Sequence, residues 1–390
     1  MNGREKIEAA FSPQGAPEFA AVLCYEGIYF RDHWNAITSH PWWYSQSPDL
    51  EHQKAWMAQA LPATGQDWME LQSCHSRRYR EQRQVLVEPG GIFLLDRLTG
   101  VKIELHEHVV GGWDDTVGAA SSYSDRRDWL AQTPEEIDQL YPPAPRFQSE
   151  HYRKEGRHAL AVWQLETFGQ SLFPIRHISS PLQDCFNVWG FEGMMLMIAE
   201  RPDLVRYACQ RFLDHGLSAV QEAHLLGASG IWIEECFTDQ ISPAAYRELN
   251  LPYLCPLVEA IHDQLMHSIL YFCGNPKGKL ELLVQSCAQA LSLEESKKGF
   301  TIDIEALAEA LQGTAVLLGN LDAIHLLPHA SEQELRAEIR RQVAAGRRNS
   351  SRFIMSLGSP VTPGTTPERV RLYCDLTHEE GRHRTRIPAR

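Results

Sequence analysis

Ile231-Trp232-Ile233-Glu234-Glu235, Ser268-Ile269-Leu270-Tyr271-Phe272-Cys273, Ala290-Leu291-Ser292-Leu293 and Ala315-Val316-Leu317-Leu318-Gly319-Asn320 are short apolar runs that stop on, or just before, acidic, thiol or amide side chains. Between them lie Ser242–Leu265, Lys277–Cys287 and Ile304–Gln312, in which apolar residues recur every three to four positions. Short apolar runs that each lead into a helical period predict parallel strands joined by crossover helices. Working outward, Ser331–Ala345 and Arg352–Leu357 add a helix and a strand downstream. Upstream, Ala159–Glu166 reads as a strand before the helical Glu192–Gly216, and Ala20–Cys24 reads as the opening strand. Ser242-Pro243 supplies an N-cap followed by Pro at the first helical position, and Ser331-Glu332-Gln333-Glu334 is a capping box. The expected fold is α/β, a (β/α)8 TIM barrel, with all of residues 1–390 in one domain.

Residues 30–150 depart from this rhythm. They carry Trp34, Trp42, Trp43 and Tyr44, and a hairpin is expected from Arg83–Leu95 to Val101–His108. Five of the ten tryptophans precede residue 70. This stretch reads as an aromatic-rich elaboration inserted after the first strand and folded over the barrel mouth, as a lid, a homodimer interface or both; packing of a small helical subdomain would use the same residues. Pro142-Pro143-Ala144-Pro145 is a linker signal.

Composition narrows the function. Hydrophobic residues make up 43% and charged residues 22% of the 390, as in ordinary globular chains. With 37 Lys plus Arg against 50 Asp plus Glu, the net charge of -13 disfavours nucleic acid and anionic membranes as partners. Nine scattered cysteines without a Cys-x-x-Cys pair argue against a disulfide framework and for a reducing cytoplasm. No apolar run is long enough to span a bilayer.

In a parallel barrel the loops after the strands form the reactive face. The polar residues there are Glu26, Glu166, Glu234, Glu235, Cys273, Glu294, Glu295, Asn320 and Asp322. Cys273, followed by Gly274, could bind a metal or act as a nucleophile. His106 and His108, two apart on an expected strand, could share one face. No Gly-x-Ser-x-Gly or His-Glu-x-x-His motif is present.

The order Ile241-Ser242-Pro243, Leu251-Pro252-Tyr253, Cys273-Gly274, Gly319-Asn320-Leu321-Asp322, Phe353-Ile354-Met355-Ser356 and Thr366-Pro367-Glu368 resembles the uroporphyrinogen decarboxylase superfamily. That resemblance covers about residues 180–375 and implies a barrel with its site at the C-terminal mouth. The decarboxylases carry an Arg-Gln-Ala-Gly-Arg signature after the first strand, whereas this chain reads Cys24-Tyr25-Glu26-Gly27-Ile28-Tyr29-Phe30-Arg31-Asp32. Acids in that place would repel a polycarboxylate. The opening segment and Trp42-Trp43-Tyr44 are most similar to the cobalamin-dependent methyltransferase branch, in particular to members that demethylate methoxylated aromatics.

The resemblance implies that the methyl group of a small methoxyarene passes to a corrinoid held by a separate corrinoid protein, since no Asp-x-His-x-x-Gly segment is found here. Tyr25, Glu26, Glu166, Tyr271 and Asn320 are the expected catalytic residues, and Trp34, Trp42, Trp43 and Arg31 the expected substrate-binding ones. A zinc ion on Glu235, Cys273 and Glu294 could polarise the ether oxygen; proton donation by Tyr25, Glu26 or Tyr271 is the metal-free alternative. The zinc ligands of thiol-methylating relatives are only partly retained: Tyr271-Phe272-Cys273 stands where they have His-x-Cys, and Ser356–Ser359 holds no Cys. A decarboxylase of another acid would lean on Arg31 and Arg176 as carboxylate clamps. A non-catalytic corrinoid or small-molecule binder is the third reading.

Overall fold

The computed structural model describes residues 1–111, 131–296 and 299–382. Its strands are β1 (Trp68–Glu70), β2 (Arg83–Glu88), β3 (Gly91–Asp96), β4 (Lys102–Leu105), β5 (Phe173–Ser179), β6 (Gly230–Glu235), β7 (His267–Phe272), β8 (Ala290–Leu293), β9 (Val316–Leu318) and β10 (Phe353–Ile354). Strands β1, β5, β6, β7, β8, β9 and β10 lie side by side in that order, each pair parallel, while β2, β3 and β4 form a separate antiparallel sheet.

The extended segment Ala20–Leu23 fills the eighth place of the barrel. Ala21 bridges Met355 beyond β10, and its carbonyl accepts from the Asp67 N–H beside β1 at 2.8 Å. Side chains complete this seam. The Asp67 carboxylate accepts the Ala21 N–H at 2.7 Å, Gln66 Oε1 accepts the Leu23 N–H at 3.1 Å, and the Trp68 indole donates to Leu23 O at 3.0 Å.

The helix Gly3–Phe11, held by an Asn2–Glu5 capping box, covers the N-terminal end of the barrel, where Phe11 stacks on His267 with centroids 4.0 Å apart. Outer helices present one apolar stripe each. Pro202–Leu226 buries Leu204, Val205, Ala208, Cys209, Phe212 and Leu213. Glu332–Arg348 packs so closely on β10 that a Cβ at Gly346 would lie 2.4 Å from Phe353 Cγ. Gly346→Val is therefore expected to lower the thermal midpoint, at a cost of about 1–3 kcal/mol or more, measured by calorimetry. Among the described residues no helix is long and apolar enough to cross a membrane.

Several elements differ from the sequence reading. Ala159–Phe168 is a helix, not a strand: Leu160, Ala161 and Gln164 are its buried positions, a helical spacing. The strand in that region is β5, whose Pro174, Arg176 and His177 interrupt the apolar run. The expected 30–150 elaboration is divided by β1, a barrel strand only three residues long. The expected hairpin is a three-stranded meander, because Glu88 and Gly91 flank a turn inside its first arm. Residues 112–130 of the elaboration lie outside the described residues.

Candidate functional site

Side-chain alternation decides what reaches the barrel axis. On β6, Trp232 and Glu234 face inward while Ile231, Ile233 and Glu235 face the helices. Trp232 stacks on Tyr271 of β7 with centroids 4.9 Å apart and on His177 of β5 at 5.7 Å, and Trp68 of β1 meets it edge-on at 5.4 Å. Above these rings, the Tyr25 hydroxyl donates to Glu234 Oε1 at 2.9 Å, and the Cys236 thiol donates to the same oxygen at 3.4 Å. Cys273 donates to Glu294 Oε1 at 3.2 Å, and Tyr271 donates to Gly358 O at 3.1 Å. Burial pushes both tyrosines well above the ordinary phenol range, so they stand as neutral donors.

Tyr25 adopts φ +55°, a left-handed conformation that is costly for a bulky residue. It marks the sharp turn from the Ala20–Leu23 segment into the helix Glu26–Asp32. That turn sends Tyr25 to the axis and Glu26 to a second place, a cavity of about 140 Å³ beside the mouth. Phe30, Trp34 and Trp56 give it apolar walls, and Glu26, Arg31, Glu70, Gln72, His108 and Gln164 supply its polar groups.

Glu26 is 4% exposed. One carboxyl oxygen accepts from Gln66 Nε2 at 2.5 Å and the other from the Glu70 N–H at 2.8 Å. Burial outweighs these two bonds, the nearby Glu70 carboxylate adds to it, and the pKa rises to about 8. Near neutral pH Glu26 is therefore largely the neutral acid. Both oxygens accept hydrogen bonds from fixed donors, and Glu26 itself lines the cavity.

The other expected site residues fall in different places. Arg31 and Trp34 line the same cavity as Glu26; Trp42 and Trp43 do not, and Trp43 packs on Tyr44 and His52 instead. Glu166 is exposed on the helix Ala159–Phe168, so it stands at no strand end. Asn320 donates from Nδ2 to Glu294 O at 3.0 Å and Ile302 O at 3.3 Å, holding the loop after β8.

Arg176 faces the helices rather than the mouth, donating to Leu71 O at 2.6 Å, and Arg31 is paired with Asp32 at 2.8 Å. Sequence reading passed over Trp56, Phe30, Glu70 and Cys236, and it placed Glu234 at a strand end without giving it a role. Glu234 was open to discovery, since strand alternation sends only one of Glu234 and Glu235 to the axis once Trp232 is placed.

The expected zinc set does not fit a metal. Glu235 points to the helix layer, where it accepts from Tyr246 Oη at 2.5 Å and from Asn250 Nδ2. That leaves Cys273 and Glu294, two donors where zinc takes three or four. Among the described residues no three His, Cys, Asp or Glu side chains gather in a ligating group.

A model of the uroporphyrinogen decarboxylase family matches residues 132–380, more than half of the chain. The chain belongs to the uroporphyrinogen decarboxylase family. Its similarity to curated family members is low. It is 25% identical over 192 residues to the uroporphyrinogen decarboxylase of Ectopseudomonas mendocina, covering 48% of this chain and 52% of the relative. The match to the enzyme of Pseudomonas putida is 24% over the same length, with the same coverage. The chain thus spans about half the length of the curated relatives it matches.

Among solved structures, a methyltransferase from Methanosarcina mazei superposes with a TM-score of 0.64 at 14% identity, covering 97% of this chain and 99% of that one. That likeness shows a shared fold.

Proposed function

We propose that this family member is a methyltransferase that demethylates a small, single-ring methoxylated aromatic, passing the methyl group to a corrinoid carried by a separate protein in the cytoplasm. The observation that carries the reading is the buried Glu26 carboxyl, its pKa pushed up to about 8 by burial, in the wall of an aromatic-lined cavity of about 140 Å³. A cavity of roughly 150 Å³ holds one benzene ring. A tetrapyrrole is far too large for it. Of the two arginines expected as carboxylate clamps, Arg176 faces the helices and Arg31, in the cavity wall, is already paired with Asp32, which disfavours decarboxylation of a polyacid.

An aryl methyl ether resists cleavage because phenolate is a poor leaving group, and protonation of the ether oxygen removes that obstacle. Phe30, Trp34 and Trp56 would hold the ring by apolar contact. Glu26 would give its proton to the ether oxygen as the methyl–oxygen bond breaks, so that the phenol leaves neutral. The carboxylate then formed meets donors already in place, Gln66 Nε2 and the Glu70 N–H. The corrinoid, when docked, supplies the nucleophile that takes up the methyl group.

Titration with single-ring methoxyarenes, followed by tryptophan fluorescence, tests the pocket. Saturable quenching that weakens about tenfold or more in Trp34→Ala is the expected result, from the lost ring contact. Undiminished binding by Trp34→Ala would place the substrate elsewhere.

A further inference from the structure

Arg77-Arg78-Tyr79-Arg80 and Arg153-Lys154-Glu155-Gly156-Arg157 place six cations and one acid in two short stretches of a chain whose net charge is -13. The fold brings the two stretches together. The Cys74 N–H donates to Arg157 O at 2.9 Å, and its thiol donates to Gly156 O at 3.3 Å. Gly156 is buried and ends the helix Ser149–Glu155 at φ +72°, a left-handed conformation. A Cβ there would lie 3.2 Å from Arg80 Nη2 and 3.9 Å from Arg77 Nε, so two guanidinium groups converge over one glycine.

Like charges this close repel unless an anion lies between them. Among the described residues neither Arg77 nor Arg80 meets a carboxylate: Glu155 is taken by Arg157 at 2.6 Å and Asp96 by Arg83 at 2.9 Å. Arg80 Nη2 donates to Gly156 O at a long 3.4 Å, and its Nε is enclosed with no acceptor. His158 Nδ1, one residue beyond Arg157, is also enclosed and has no partner among the described residues. Enclosed polar groups are nearly always satisfied in native proteins, so an acceptor belongs here. The local field is positive: His75 is pushed below the ordinary imidazole range, first by burial and then by Arg157, Arg83 and Arg80.

We propose that Arg77 and Arg80 hold the phosphoryl group of a small ligand, in a site separate from the Glu26 cavity. Guanidinium forks match phosphate oxygens in pairs of parallel hydrogen bonds. A phosphoryl group, close to doubly charged and with three acceptor oxygens, offsets both cations, whereas a carboxylate offsets one. A small ligand is favoured over nucleic acid, because the rest of this acidic chain repels a polyanion. Arg77 and Arg157 are exposed, so the site opens to solvent. Arg77, Arg80 and Gly156 do not line the Glu26 cavity, but Gln72 does, two residues before Cys74, so both sites share the loop after β1. The phosphoryl site does not depend on the proposed methyl transfer.

Isothermal titration of the full chain with inorganic phosphate at constant ionic strength, alongside Arg77→Gln, Arg80→Gln and Arg340→Gln, tests the site. The parent and Arg340→Gln, the same charge change on the helix Glu332–Arg348, are expected to bind phosphate saturably in the millimolar range or tighter. Arg77→Gln and Arg80→Gln should each weaken binding about tenfold or more with circular dichroism unchanged. Arg77 is exposed, so its variant separates binding from folding. Absence of saturable binding to the parent would overturn the assignment. Equal weakening in all three variants, or acetate bound as tightly as phosphate, would overturn it too.

Discussion

Glu26→Gln is expected to lower the rate of methoxyarene demethylation by about 10²- to 10⁴-fold while leaving the fold intact. The amide occupies the same volume and can still accept from the Glu70 N–H and meet Gln66, but it holds no transferable proton. The pH profile gives a second signature. With the pKa raised to about 8, the acid form is the active one, and the rate should fall as pH climbs through that value. Stability moves in the same direction. A carboxyl whose folded pKa exceeds its unfolded value contributes stability that is complete below about pH 4.5 and is lost as pH rises through about 8. Glu26→Gln should remove that dependence, as chemical denaturation across the pH range would reveal. Glu235→Gln is the matched control. Its pKa is also raised, to about 7, mainly by burial, but it faces Tyr246 and Asn250 and should cost less than about tenfold in rate.

Asp67→Ala is expected to be the most destabilising single change, at about 3–5 kcal/mol. One carboxylate joins three parts of the barrel seam. Its Oδ1 lies 3.3 Å from Lys6 on the first helix, and its Oδ2 lies 2.6 Å from His378 on the helix Pro367–Glu380 and 2.7 Å from the Ala21 N–H. Lys6 is 7% exposed, so removing the carboxylate leaves a buried ammonium without its counter-charge. Calorimetry should record a thermal midpoint lower by roughly 5 °C or more. Asp67→Asn, which retains the acceptor for Ala21, should lose less. A midpoint within a degree of the parent for Asp67→Ala would mean that the seam is held by its backbone bonds alone.

Legibility in the sequence followed local periodicity. From β6 to β10 each strand is a short aliphatic run between helices, and those elements were readable to within a few residues. The first part of the barrel was not. β1 is three residues of Trp-Met-Glu inside an aromatic stretch, and β5 holds Pro, Arg and His; both owe their strand conformation to parallel neighbours rather than to propensity. Ala159–Phe168 misled because its apolar run is dense enough to hide a helical period.

At the site, Glu26, Arg31 and Trp34 were readable together because they share one short helical stretch. Trp56 and Glu70 join them only through the tertiary fold, on the helix Leu50–Ala63 and on β1. The metal expectation rested on taking Glu235 as inward-facing. A one-residue shift along a strand exchanges the two faces, and Glu234 is the carboxylate that meets Tyr25.

The most direct measurement is a turnover assay with a single-ring arene carrying a deuterated methoxy group, incubated with the protein and a reduced corrinoid protein and followed by mass spectrometry. The account predicts a demethylated phenol, labelled methyl recovered on the corrinoid partner, and loss of both with Glu26→Gln. Absence of phenol across a panel of such donors, with carbon dioxide released from an aromatic or pyrrolic acid instead, would contradict it.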